Sequence, residues 1–359
     1  MNSTNRTVAE ALALRGVSRR GFMKFCATTA SLMALPPTLI PTIAAALEKA
    51  RRPSVIWLPF QECTGCTESL TRSNAPTLES LIFDTISLDY QETLQAAAGS
   101  AAEAARSAAM QANWGNYLLA VDGSIPLGNP GYSTIGGVSN LELLKEVAKG
   151  AKAIVAIGTC ASFGGLPMAD PNPTGAVGVS EIIKDKPIIN ISGCPPLPVA
   201  ITAVLAQFLV FGQLPELDHL GRPKVFFAQT IHDRCYRRPF YERGEFAESF
   251  DDEGAKRGWC LFKLGCKGPT TYNACATVKW NMGTSFPIES GHGCIGCSEP
   301  RFWDAGGFYQ PLSTTRWGGW KELGIAAAAG AAVGAAAALA ARARSPAAQP
   351  AAKPEGVSS

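Results

Sequence analysis

The sequence predicts an α/β protein, a doubly wound parallel sheet followed by a smaller, loop-rich domain. Three observations carry this. Short apolar runs alternate with helical stretches between Pro53 and Phe211. Three cysteines, Cys63, Cys160 and Cys194, each fall just after one of those runs, where parallel sheets gather their sites. After Leu214 the texture changes: clear strands vanish, and Gly, Pro, Trp and Cys become dense between Arg234 and Gln310.

The elements follow in order. Residues 54–58 read as a buried strand leading into Cys63-Thr64-Gly65-Cys66, with a helix starting near Thr67. Residues 81–88 read as a second strand. Residues 91–111, Ala-rich with Glu and Arg, read as a helix by propensity. Residues 117–121 form a third strand that ends at Asp122-Gly123-Ser124, and 141–148 a helix. Residues 153–158 are a fourth strand leading to Cys160, 177–183 a short helix, and 187–191 a fifth strand before Gly193-Cys194-Pro195-Pro196. A helix follows to about Phe211. In the second domain only 225–228 looks like a strand, and no repeat of fixed period is present.

The two ends predict targeting rather than fold. Ser18-Arg19-Arg20-Gly21-Phe22-Met23-Lys24 is a twin-arginine pattern, followed by an uncharged, mostly apolar stretch over 25–47. Ala44-Ala45-Ala46 offers small residues for cleavage, so residues 1–46 are expected to be an export signal. Pro36, Pro37 and Pro41 oppose a lasting membrane helix there. Residues 323–341 carry no charge, and Gly330 and Gly334 are spaced as a small-residue face. A C-terminal transmembrane helix over 316–345 is expected, with a helix packed on a partner as the alternative. Arg342 and Arg344 beyond it agree with the positive-inside rule. Residues 346–359 are Pro/Ala-rich, a composition that predicts disorder. Between these ends lie the sheet domain, 47–213, and the loop-rich domain, 214–315. The net charge of +3 is small and scattered, which predicts no nucleic-acid partner.

Ten of the eleven cysteines lie between Cys63 and Cys297 and, with His232, count out as metal-cluster ligands. Cys63, Cys66, Cys160 and Cys194 make one set of four. His232, Cys235, Cys260 and Cys266 make a second. Cys275, Cys294 and Cys297 make a set of three. Zinc sites keep their ligands in close pairs. Here 24 residues separate Cys235 from Cys260, and 18 separate Cys275 from Cys294. The spacing therefore favours iron–sulfur clusters over zinc, and zinc over disulfides. Disulfides are expected of exported chains, but a twin-arginine route moves folded proteins, so clusters assembled in the reducing cytoplasm would cross intact. A neutral imidazole at His232 in place of a thiolate would raise a cluster's potential. His219 and His292 read as ordinary surface or packing residues.

At these residues the chain resembles the small subunit of nickel–iron hydrogenases of the exported, membrane-associated uptake type. The segments that carry the resemblance are Glu62-Cys63-Thr64-Gly65-Cys66-Thr67-Glu68-Ser69, Gly158-Thr159-Cys160-Ala161, Gly193-Cys194-Pro195-Pro196 and Gly291-His292-Gly293-Cys294-Ile295-Gly296-Cys297-Ser298-Glu299-Pro300. It runs from the twin-arginine signal to about Leu312. The resemblance implies a flavodoxin-like first domain and an iron–sulfur second domain. It implies that Cys63, Cys66, Cys160 and Cys194 hold a proximal 4Fe-4S cluster. His232, Cys235, Cys260 and Cys266 would hold the distal 4Fe-4S cluster, and Cys275, Cys294 and Cys297 the medial 3Fe-4S cluster. No catalytic residue is expected on this chain: the nickel–iron centre lies in a separate large subunit. The two would form a heterodimer, or a higher oligomer built from it. Electrons from hydrogen would pass through the clusters to a membrane cytochrome b or quinone-linked subunit, on the periplasmic side of the membrane.

Oxygen-tolerant relatives place extra cysteines where this chain has Gly65 and Gly165, so an ordinary proximal cluster is expected. Pro287 stands near where a fourth medial ligand would be, and Glu62 is expected either to face the catalytic subunit or to be a plain surface carboxylate. Two alternatives are a related respiratory electron-transfer subunit and a zinc-stapled exported binding protein without catalysis.

Overall fold

A computed structural model describes residues 7–312 apart from 15, 33, 34, 50, 51, 75, 213 and 307. Residues Met1–Pro311 form one compact unit and Leu312–Ser359 a second. The expected C-terminal membrane helix and tail lie outside the described residues. Among the described residues no helix is long and apolar enough to cross a membrane.

The chain begins with three helices, α1 (Val8–Leu14), α2 (Arg19–Leu32) and α3 (Ile40–Lys49). The sheet follows. Its strands are β1 (Ser54–Pro59), β2 (Ser87–Gln91), β3 (Tyr117–Asp122), β4 (Ala151–Ile157) and β5 (Ile188–Ile191), in the order β2-β1-β3-β4-β5. Every neighbouring pair is parallel. That order is the flavodoxin-like one, with its reversal between β1 and β3. The connecting helices are α4 (Gly65–Thr71), α5 (Gly99–Ala112), α6 (Asn140–Gly150), α7 (Gly158–Phe163) and α8 (Pro198–Phe211).

Parallel sheets are buried on both faces, and the strands divide their side chains accordingly. Val55, Trp57, Leu118, Ala120, Val155 and Ile191 pack under α8 with Ile201, Val204 and Leu205. Ile56, Leu58, Leu119, Val121 and Ala156 face the other way, against Met110 of α5 and Leu143, Leu144 and Val147 of α6. Period-two alternation thus serves two cores at once. Helix α6 starts where the sequence provides a capping box: the Ser139 hydroxyl accepts from the Glu142 N–H at 3.2 Å and donates to the Glu142 carboxylate.

Three sequence expectations shift. Residues 81–85 are a π-helical turn, not strand, and the strand starts at Ser87. Arg52 holds that turn by donating to the carbonyls of Ile82, at 2.6 Å, and Ile86. The helix expected over 91–111 begins only at Gly99. Residues 225–228 are a helical turn, Lys224–Phe227, because Pro223 starts it and Phe226 and Phe227 turn inward onto the core.

The expected export segment is folded in this structure. Val8, Leu12, Phe22, Cys26, Ile43 and Leu47 bury one another, α2 and α3 lie against α8, and Arg19 and Arg20 are exposed. After α8 the chain is mostly turns around a small core of Ile231, Ala247, Leu261, Cys266, Phe286 and Ile288.

Candidate cluster sites at the sheet edge and beyond

The register of the sheet sets the first site. Pro59 pairs with Asp122, Asp122 with Ile157, and Ile157 with Ile191, so four strands end level. The turns that leave three of them carry Cys63 and Cys66, Cys160, and Cys194. Charge on Cys160 or Cys194 is felt at Cys66, charge on Cys194 at Cys160, and charge on Cys63 at both Cys160 and Cys194. The fit is close: a Cβ at Gly158, which has φ +86°, would strike the Cys66 sulfur. Asp122 sits behind the site, buried, and accepts from Trp57 Nε1 at 2.9 Å and from the Thr67 hydroxyl at 3.2 Å. Burial first, and the neighbouring Glu62 second, raise its carboxyl to about 7. Glu62 is itself raised by burial, while it accepts from the Thr64 N–H.

The second set surrounds a small enclosed space lined by His232, Cys235, Cys260 and Cys266, with Gly268 and Ile288. Burial, and then Arg238, lower the His232 imidazole, which favours the neutral, ligating form. Its ring meets Tyr241 edge-on at 4.6 Å. The third set, Cys275, Cys294 and Cys297, lines a cavity of about 430 Å³ together with Trp280, Phe286 and Pro287. Pro287 offers that cavity no ligand atom. Cys194 of the first set also lines it.

The three sets touch in sequence. Cys194 and Cys297 line one cavity, joining the first set to the third. The Cys294 N–H donates to the Cys266 sulfur at 3.3 Å, joining the third to the second. Lys267, 4 % exposed, lies at that junction beside Cys266 and Cys294, and its ammonium donates to the Gln310 carbonyl at 2.6 Å. Burial lowers its pKa and the two thiols work against that.

The donor sets fit multi-iron groups. Every described cysteine is free of a disulfide. Burial, followed by neighbouring thiols, raises Cys160, Cys275 and Cys297 to about 12. Such thiols become thiolates only beside a strong cationic centre. Backbone N–H groups already aim at the sulfurs: Gly268 at Cys266, and Gly296 at Cys294, both at 3.4 Å. Among the described residues no group of three or more His, Cys, Asp or Glu converges as one metal ion requires. The second and third sets each line a space.

The structure brings His232, Cys235, Cys260 and Cys266 to one space and Cys275, Cys294 and Cys297, with Cys194, to another, while Cys63, Cys66 and Cys160 lie near Cys194 at the sheet edge. His292 stays outside them: it packs on Phe250 and holds Nδ1 against the Gly293 carbonyl at 2.8 Å. His219 is exposed. Sequence reasoning missed Arg222, 1 % exposed, which donates to Asp218 at 2.8 Å, Glu299 at 3.0 Å and the Ser298 carbonyl at 3.2 Å. It anchors the loop that carries Cys294 and Cys297. The i,i+4 pairing with Asp218 was visible in the sequence; Glu299, 77 residues on, was not.

Comparison with known proteins agrees with this geometry. Residues 227–310 match the family model for the C-terminal part of the NiFe/NiFeSe hydrogenase small subunit. Residues 63–208 match that of the NADH ubiquinone oxidoreductase 20 Kd subunit. The chain is 50% identical to the uptake hydrogenase small subunit of Azotobacter vinelandii, over 90% of this chain and 92% of that one. It is 46% identical to the hydrogenase-1 small chain of Escherichia coli, covering 91% of each. Among solved structures, the Dm. baculatum [NiFeSe]-hydrogenase aligns with TM-score 0.69 and 35% identity, over 73% of this chain and 100% of that chain.

Proposed function

The chain belongs to the small-subunit family of nickel–iron hydrogenases, and from that premise we propose that its eleven ligands hold three iron–sulfur clusters in the order of the three sets. As a small subunit it transfers electrons for an oxidoreductase whose nickel–iron site lies on the large subunit. Cys63, Cys66, Cys160 and Cys194 hold a proximal 4Fe-4S cluster. Cys275, Cys294 and Cys297 hold a medial 3Fe-4S cluster. His232, Cys235, Cys260 and Cys266 hold the distal 4Fe-4S cluster. The observation that carries the order is the cavity shared by Cys194 and Cys297 together with the bond from the Cys294 N–H to the Cys266 sulfur.

When bound, the clusters supply one-electron steps. The chain's own residues do the rest. The thiols and His232 fix the positions, the N–H groups of Gly268, Gly296 and Cys294 stabilise sulfur charge, and the apolar walls from Ile231, Phe286 and Ile288 keep water out. The match of the first domain to the NADH ubiquinone oxidoreductase model makes the respiratory relative the nearest competitor. The C-terminal match at 227–310 supports the hydrogenase reading instead.

The finer reading places the complex on the periplasmic side of the membrane. Residues 1–46 act as a twin-arginine signal removed near Ala44–Ala46, and residues 316–345 anchor the chain beside a cytochrome b or quinone-linked subunit. Residues 47–213 and 214–315 act as the two functional domains. The test is affinity purification of the chain from membranes, followed by hydrogen-dependent dye reduction. A co-purified large subunit and hydrogen-driven reduction are expected. Full activity from this chain alone would contradict the two-subunit reading.

A further inference from the structure

We infer that Thr159 is a positioning residue for electron transfer, its hydroxyl bridging the ligand loops of the proximal and medial sets. Thr159 is 1 % exposed and precedes the ligand Cys160. Its Oγ1 accepts from the Gly193 N–H at 2.9 Å, and Gly193 precedes the ligand Cys194. The same Oγ1 donates to the carbonyl of Cys297, a ligand of the medial set. The backbone of Thr159 closes the ring by donating to the Gly193 carbonyl at 2.9 Å. One buried hydroxyl, on the residue before Cys160, therefore bonds the residue before Cys194 and the backbone of Cys297.

A hydroxyl has one proton to give, and it is committed to Cys297, while one of its two lone pairs accepts from Gly193. The committed proton fixes the orientation of the hydroxyl. A parallel bond reinforces the same seam: the Ser192 hydroxyl donates to the Ser298 carbonyl at 2.8 Å, with both residues fully buried. Arg222 draws on that carbonyl from the other side. The path Cys194–Gly193–Thr159–Cys297 crosses the gap through two hydrogen bonds and no open space. With clusters bound to the two sets, this seam would lie between the donor and the acceptor of a one-electron transfer, the one oxidised as the other is reduced. The proton of Thr159 stays on Oγ1. This reading rests on the ligand sets proposed above.

The experiment compares the two-subunit complex bearing Thr159→Val, Thr159→Ser or the parent residue. Iron and sulfide content of the parent is measured first and decides the ligand sets by itself. Two further readouts follow. Amide exchange of the peptide containing Gly193 should speed up about five- to tenfold in Thr159→Val, the loss expected for one net hydrogen bond. The ratio of hydrogen-driven dye reduction to hydrogen–deuterium isotope exchange should fall, because isotope exchange needs only the large-subunit site. Thr159→Ser should restore both. If Thr159→Val does not assemble, Thr159→Ala is read in the same way. Parental exchange and ratio in the hydroxyl-free variant would overturn the proposal, and so would a serine variant no better than valine.

Discussion

A cysteine introduced at Gly165 should damage the protein, and one introduced at Gly65 should not. Gly65 neighbours Cys63, and Gly165 neighbours Cys160. Gly165 has φ +57°, and a Cβ there would lie 2.7 Å from both the Cα and the N of Cys160. Those are backbone atoms and cannot rotate away. The left-handed conformation costs about 1–2 kcal/mol for a residue with a Cβ, and overpacking adds roughly 1–3 kcal/mol. At Gly65 a Cβ would meet only the Cys63 sulfur at 3.2 Å and the Pro195 Cβ at 3.9 Å. Gly65 opens helix α4, so a side chain there recovers part of the roughly 1 kcal/mol that glycine costs a helix. The assay is thermal unfolding of the two-subunit complex, with iron content determined beside it. Gly165→Cys should unfold roughly 5–15 °C earlier, and Gly165→Ala should do the same, which separates the Cβ from thiol chemistry. Gly65→Cys should sit close to the parent. Equal unfolding of the Gly165 and Gly65 variants would refute the steric argument.

Three further outcomes follow from the same geometry. Arg222→Met should destabilise by about 3–5 kcal/mol, because Asp218 and Glu299 lose their buried cation; a shift in the unfolding midpoint checks this, and adding Glu299→Gln should return part of it. His232→Cys should keep the irons but lower the potential of the distal cluster, since a thiolate adds negative charge; a redox titration that finds that potential unmoved removes His232 from the ligand set. Replacing Arg19 and Arg20 with Lys should leave the chain in the cytoplasm, with fractionation as the readout, and normal export of that variant would contradict the signal.

The sheet was legible because its strands are apolar on both faces, and such runs stand out between turns. Residues 117–122 and 188–191 illustrate this. The π-turn at 81–85 was not legible, since Leu81-Ile82-Phe83 is as apolar as a strand and its conformation depends on Arg52 reaching two carbonyls. The true strand at 87–91 hides its polar Asp89 by taking hydroxyl bonds from Ser54 and Ser87. The candidate ligand residues could be grouped from sequence because strand ends bring distant cysteines together. Thr159 and Arg222 could not. Their work depends on partners 138 and 77 residues away, Cys297 and Glu299, and no local pattern announces such a contact. The N-terminal segment carries a signal-like pattern in its sequence, while the packing of Phe22, Cys26 and Ile43 into a shared core needed the folded chain.

The central claim is that ten cysteines and His232 hold three clusters in one line. Iron and acid-labile sulfide per chain, measured on the purified two-subunit complex and corrected for the large subunit's own iron, test it most directly. Two 4Fe-4S groups and one 3Fe-4S group predict about eleven irons and about twelve sulfides on this chain. Four irons, or zinc without sulfide, would contradict it.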